Sequence, residues 1–178
     1  MVNDHLAALV RTIPDHPVPG IRFRDITTLL RDPAGFREVI TLLANRYRDQ
    51  GITQVAGIEA RGFILGGAVA QALGAGFVPI RKHGKLPAAV LGQEYTLEYG
   101  TDRVEIHADA VGAADRVLVI DDLIATGGTA LAAIALVRQA GAAVAASCYI
   151  IDLPDLGGAE RVRAAGIEAF TLISFPGH

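Results

Sequence analysis

The stretch Val117–Ala133, VLVIDDLIATGGTALAA, gathers the densest set of residues able to do chemistry. An apolar run leads into two carboxylates, Asp121 and Asp122, and then into the small polar turn Ala125, Thr126, Gly127, Gly128 and Thr129. Successive backbone amides at the start of a helix, helped by two hydroxyls, bind a phosphate through unpaired N–H groups and the positive end of the helix dipole. Each dipole interaction is worth only about 0.3–1 kcal/mol when exposed, so several amides must act together. The loop has no lysine after its glycines, as GxxxxGK[ST] requires, and is not GxGxxG. Acids beside a phosphate nest must face something other than phosphate. Ionised carboxylates only accept hydrogen bonds, and the vicinal hydroxyls of a ribose donate them. The spacing fits a ribose 5-phosphate, its diol on Asp121 and Asp122 and its phosphate on Ala125–Thr129.

The elements that position this loop are legible from alternating strand and helix signals. Residues 4–11 read as a short amphipathic helix, and the prolines of PDHPVPGIRFRDITTLL oppose regular helix after it. Asp32 caps the next helix with Pro33 at its first position. Phe36, Val39, Ile40, Leu43 and Tyr47 keep helical spacing, and Gly51 ends it. TQVAGIEARGFILGGAVAQALG reads as strand, turn and helix, GFVPIRK as a strand, and LEYGTDRVEIH as a hairpin. The segment 82–97 lacks clean periodicity and is the expected mobile element. RVLVIDD, a helix over 128–140, AAVAASCYIID, a helix near 159–165 and IEAFTLI complete the series. Short apolar strands separated by helices predict a parallel sheet covered on both faces. Ligands collect at the carboxyl ends of such strands. EARG, RKHGK and DDLIATGGT occupy those positions.

The whole chain sets further bounds. Its 178 residues, 51% apolar, suit one domain over 1–178 with a real core. A formal charge of −3 argues against nucleic acid as a partner. The N-terminus has no signal-peptide pattern, and no apolar run approaches a membrane span. The single cysteine, Cys148, reads as a small core residue of a soluble cytoplasmic protein. No histidine has metal-ligand spacing.

From about Pro17 to His178 the chain resembles the type I phosphoribosyltransferases. VLVIDDLIATGGTA matches their 5-phosphoribosyl-1-pyrophosphate (PRPP) signature. PGIRFRDIT, EARGFILG, IRKHGKLP, YTLEYGTDRVEIH and the terminal SFPGH are similar to the adenine-specific branch of that family. The resemblance implies an α/β fold with a central, mostly parallel sheet flanked by helices. It also implies a small N-terminal hood (1–30) and a flexible loop and hairpin (82–103). The implied reaction joins adenine to PRPP, giving AMP and pyrophosphate, with Mg²⁺ bound mainly through PRPP and no protein ligand assigned to it. Pyrophosphate falls to Glu59, Ala60, Arg61, Arg81, Lys82 and Lys85, with a non-proline cis peptide in the EAR loop. Adenine falls to Phe23 and Leu153 on its two faces and to backbone groups of Arg22 and Arg24. Glu98 is the implied proton-handling group, Tyr99 orients or shields the site, and Arg61 is counted with them as catalytic. A homodimer is implied, Arg81 being the best candidate for a basic residue lent to the partner. Two alternatives stay open on the sequence: a transferase for another base, and a PRPP-sensing regulator without catalysis.

Overall fold

The computed structural model describes residues 3–97 and 100–177, the side chains of 96 and 97 apart. A short helix α1 (Asp4–Ala7) leads to a two-stranded antiparallel ribbon, β1 (Arg11–Pro14) and β2 (Arg22–Asp25). Helices α2 (Thr27–Arg31) and α3 (Pro33–Tyr47) follow, then β3 (Gln54–Ile58), α4 (Arg61–Leu73) and β4 (Gly76–Lys82). Next come the hairpin β5 (Val90–Leu97) and β6 (Gly100–His107), β7 (Arg116–Ile124) and α5 (Gly128–Gln139). The chain closes with β8 (Ala143–Asp152), a 3₁₀ turn at Pro154–Leu156, α6 (Gly158–Ala164) and β9 (Ala169–Ser174). The main sheet has seven strands in the order β5-β6-β4-β3-β7-β8-β9. The five from β4 to β9 run parallel, and the hairpin joins antiparallel along β4.

The strand sequences explain this architecture. Along β7, Val117 and Val119 pack into one core cluster, and Leu118 and Ile120 into a second. All four are fully buried, each contributing about 1.5–3 kcal/mol. Only a strand covered on both faces reads as an unbroken apolar run. Asp32 accepts from Gly35 N at 2.7 Å ahead of Pro33, the expected cap of α3. Val39, Leu43 and Tyr47 form its buried stripe. Cys148 is a buried core residue, as expected.

Four expectations need correction. The helix expected over residues 4–11 stops at Ala7, because Arg11–Pro14 finds a strand partner in Arg22–Asp25. The prolines of the following segment all precede Gly20, so they leave Thr27–Arg31 free to coil into α2. The segment 82–97, expected without regular structure, is strand from Val90 onward. Gly92 and Gln93 interrupt its alternation, yet pairing with β6 from Val90↔His107 to Leu97↔Gly100 holds it. Glu98 and Tyr99 lie outside the described residues. Finally, the aspartates do not follow the end of their strand; β7 continues through them to Ile124, because β8 pairs with it as far as Asp152.

The topology assembles the site. β4, β3 and β7 are neighbours, so their carboxyl ends bring RKHGK, EARG and the Ala125–Thr129 loop side by side. Close backbone approaches hold that loop. Gly158 N donates to Ala125 O at 3.0 Å, and a Cβ on Gly158 would stand 2.2 Å from that oxygen. Only glycine fits there.

Two predictions follow from these contacts. Gly158→Ala forces backbone against backbone and costs about 1–3 kcal/mol, lowering Tm by roughly 3–10 °C for a chain this size. Gly67→Ala, in the interior of α4 with open space around its Cβ, raises stability by about 0.5–1 kcal/mol. Thermal unfolding of both variants reads the opposite signs. A third concerns Asp25, whose pKa is pulled down to about 2 by hydrogen bonds from Arg11 and then from Thr27. A depressed carboxylate stabilises the fold above its unfolded pKa near 3.8, and that contribution disappears as pH falls toward 2. Asp25→Asn therefore lowers Tm at pH 7, and the difference from the parent closes between pH 4 and 2.

Candidate active site

A cavity of about 230 Å³ opens at the end of β7. Arg61, Asp121, Asp122, the chain from Leu123 to Ala130, and Tyr149 line it. Ala125, Thr126, Gly127, Gly128 and Thr129 thus lie together on one concave wall. Gly127 adopts φ 82 as the N-cap of α5, a conformation natural to glycine. The first amides of α5 have no acceptors within the helix and form the positive end of its dipole. This wall suits an anion.

The acids line the same cavity. Asp122 is 4% exposed and accepts from Arg61 Nε at 2.5 Å. Asp121 is half-buried, and its Oδ1 accepts from Asp122 N at 2.9 Å. Burial, and then the charge of Asp122, raise the Asp121 pKa well above the carboxylate range. Burial pulls the Arg61 pKa down, but the charge and hydrogen bond of Asp122 outweigh it and the value is raised. Hydroxyl donors would relieve the crowded negative charge at Asp121.

Arg61, the first residue of α4, connects the acids to the hood. Its guanidinium carbon lies 5.6 Å from the Phe23 ring centroid. Phe23 sits on β2 opposite Ile13 and belongs to neither core cluster. Its ring meets His16 edge-on at 5.2 Å. Arg22 is exposed, whereas the Arg24 side chain is buried. Leu153, just past β8, is buried in the second core cluster, and its N–H donates to Ile124 O at 3.1 Å.

The cations divide into held and exposed groups. Glu59 Oε2 accepts from Arg81 Nε at 3.2 Å and from Lys82 N at 3.0 Å. Glu59 therefore orients the RK pair. The Glu59–Ala60 peptide bond is cis. Lys82 Nζ lies 3.3 Å from Asp102 Oδ2, which also accepts from Tyr95 Oη at 3.1 Å. Arg81 Nη1 donates to Lys85 O at 3.1 Å, and Lys85 itself is exposed.

Sequence reasoning missed Asp102 and Tyr95. They face each other across the hairpin, in register, and counting outward from the Gly-containing turn would have paired them. It also missed the Glu105 carboxylate, buried between His83, Gly84 N and Arg103. Its β6 position between Val104 and Ile106 looks like solvent-facing alternation. The implied catalytic residues Glu98 and Tyr99 lie outside the described residues.

The comparisons with known proteins agree with this geometry. The family described as "Phosphoribosyl transferase domain" matches residues 25–171. An adenine phosphoribosyltransferase of Rhodopseudomonas palustris is 60% identical over 173 residues, 97% of this chain and 96% of the relative. The crystal structure of adenine phosphoribosyltransferase from Rhodothermus marinus superposes with a TM-score of 0.92 at 49% identity, covering 97% of each chain. The Giardia lamblia enzyme, complexed with 9-deazaadenine, gives 0.93 at 40% identity, covering 98% of each. With that geometry beside these likenesses, this chain belongs to the phosphoribosyltransferase family, in its adenine branch.

Proposed function

We propose that this chain transfers the 5-phosphoribosyl group of PRPP to N9 of adenine, releasing AMP and pyrophosphate, with its residues sharing the work as follows. The observation that carries the reading is the juxtaposition of an amide-lined phosphate wall with Asp121 and Asp122 in one cavity. Asp121 and Asp122 accept from the ribose hydroxyls, and Ala125–Thr129 hold the 5-phosphate. As N9 displaces pyrophosphate from C1, positive charge grows on the sugar, and the two carboxylates stand beside it. Arg61, Arg81, Lys82 and Lys85 neutralise the leaving group, Arg through paired N–H donors and Lys as a point charge. Backbone groups of Glu59 and Ala60 face the same anion, since the Glu59 carboxylate is occupied with Arg81 and Lys82. Phe23 and Leu153 form the two faces of the adenine slot, and backbone groups of Arg22 and Arg24 read the base edge. Glu98 handles the proton at the base, with Tyr99 beside it.

Mg²⁺ fits this donor set as a passenger of the substrate. Among the described residues no three His, Cys, Asp or Glu side chains converge, and Mg²⁺ commonly takes one or two carboxylates plus substrate phosphates and water. When bound, it neutralises charge developing on pyrophosphate. A homodimer is supported by exposed apolar side chains on α4 and β4. Ile64 is 50% and Phe77 38% exposed, and Phe77 meets Phe63 edge-on at 5.9 Å. The Arg81 guanidinium lies 6.0 Å from the Phe63 ring centroid, beside that ring pair. Among the described residues no helix is long and apolar enough to cross a membrane. The buried single cysteine suits a reducing compartment, and the cytoplasm is the compartment we propose.

The direct test mixes the protein with adenine, PRPP and Mg²⁺ and measures AMP, which must be absent when PRPP is omitted. Asp121→Asn and Asp122→Asn each raise the KM for PRPP about tenfold or more, the value of a charge-assisted hydrogen bond, and leave the KM for adenine unchanged. An unaltered PRPP KM sinks the diol assignment. Glu98→Ala lowers kcat by about 10²–10⁴; full turnover removes its role. The raised Asp121 pKa has a sign as well. Hydroxyl donors bind the ionised form, so PRPP affinity is full above that pKa and falls as pH drops through it. Calorimetry in buffers of different ionisation enthalpy detects the proton released on binding.

A further inference from the structure

The terminal motif SFPGH has no part in the reaction described above, yet three of its residues make specific contacts. Phe175 N donates to Asp152 O at 3.0 Å, continuing the β8–β9 pairing. The Phe175 ring centroid lies 4.3 Å from the Arg24 guanidinium carbon. Arg24 Nη2 donates to Pro176 O at 3.4 Å, and Arg24 Nη1 to Thr12 Oγ1 at 2.6 Å. Gly177 N donates to Asp155 Oδ2 at 2.7 Å. The tail thus ties Thr12 and Arg24, in the hood, to Asp152 and Asp155, at the end of β8 and in the turn after it.

Those anchor points flank the proposed base slot. Phe23 immediately precedes Arg24, and Leu153 stands between Asp152 and Asp155. Arg24 is itself unusual. It is 8% exposed, its Nε has no partner, and among the described residues no carboxylate pairs with it. Buried arginines are rare without an ion pair. Here an aromatic face supplies the electrostatic partner instead. A guanidinium wedged between a ring, a hydroxyl and a carbonyl on separate segments has little room to move.

We propose that Phe175–Gly177 form a strap that sets the width of the base slot, with the Arg24 side chain as a positioning residue acting through Phe23. The inference rests on the assignment of Phe23 and Leu153 as the slot's two faces. A flat base needs those faces roughly 7 Å apart, two contacts of about 3.5 Å each. A gap of 0.5–1 Å already forfeits about a quarter to a half of the contact energy. Loosening the strap therefore weakens the base and spares the sugar phosphate, whose cradle lies on β7 and α5.

The test uses the full-length chain and steady-state kinetics with adenine and PRPP varied separately. Arg24→Ala and Phe175→Ala raise the KM for adenine about five- to tenfold, part of the value of a stacked base. The KM for PRPP stays within about twofold. Phe175→Tyr, which keeps the ring, restores the adenine KM. Phe175→Leu, which keeps apolar volume without the ring's charge distribution, does not, and it serves where Phe175→Ala fails to fold. If folded variants keep the parent's adenine KM, or both KM values rise in parallel, the strap is overturned. If the parent makes no AMP, the functional reading fails and the strap with it; if the parent turns over and only the split is missing, the strap alone fails.

Discussion

Two carboxylates meet at the carboxyl end of β7 and only one of them holds a guanidinium, and the rest of the site is arranged around that shortage of positive charge. Asp122 holds Arg61 directly, whereas Asp121 keeps only a backbone donor and is driven toward its protonated form. Asp122 is buried whereas the Arg61 side chain is partly exposed, so solvent screens the pair; removing Arg61 still leaves a buried carboxylate without its partner. Arg61 also faces Phe23, which makes the hood part of the same electrostatic unit. In the proposed complex, a sugar diol completes the arrangement by supplying donors that Asp121 lacks.

The cationic side of the site follows a different logic. Its cations are provisionally occupied: Arg81 by Glu59, and Lys82 by Asp102. Both contacts leave the side chains partly exposed, where ion pairs are worth about 0–1 kcal/mol. A multiply charged anion displaces such partners easily. Asp102 keeps the Arg103 amide and the Tyr95 hydroxyl when Lys82 leaves, so releasing the lysine does not strand a carboxylate.

Much of this was readable from residue order alone, for identifiable reasons. Buried parallel strands announce themselves as apolar runs, and Asp32–Pro33 and Gly51 mark the bounds of α3 with local chemistry. The Ala125–Thr129 loop was legible because a turn that opens a helix on a left-handed glycine calls for small residues in succession. What stayed hidden depends on partners distant in sequence. Val90–Leu97 is a strand only because β6 completes it, and Arg11–Pro14 only because β2 does. The extent of β7 past its aspartates is set by β8. The interactions of Asp102, Glu105 and the Arg24 side chain arise from register and crossing segments, which no local pattern encodes.

The clamp behind the Ala125–Thr129 loop has a consequence for binding entropy. Gly158 sits so close to Ala125 and Gly127 that the turn between them has a second backbone pressed against its outer side. Its amides are aimed before any ligand arrives, so closing on an anion requires almost no ordering of the backbone there. Preorganisation of this kind leaves nearly all the attraction available as affinity. The expense of ordering is shifted to other parts of the molecule that must reshape themselves around the substrate.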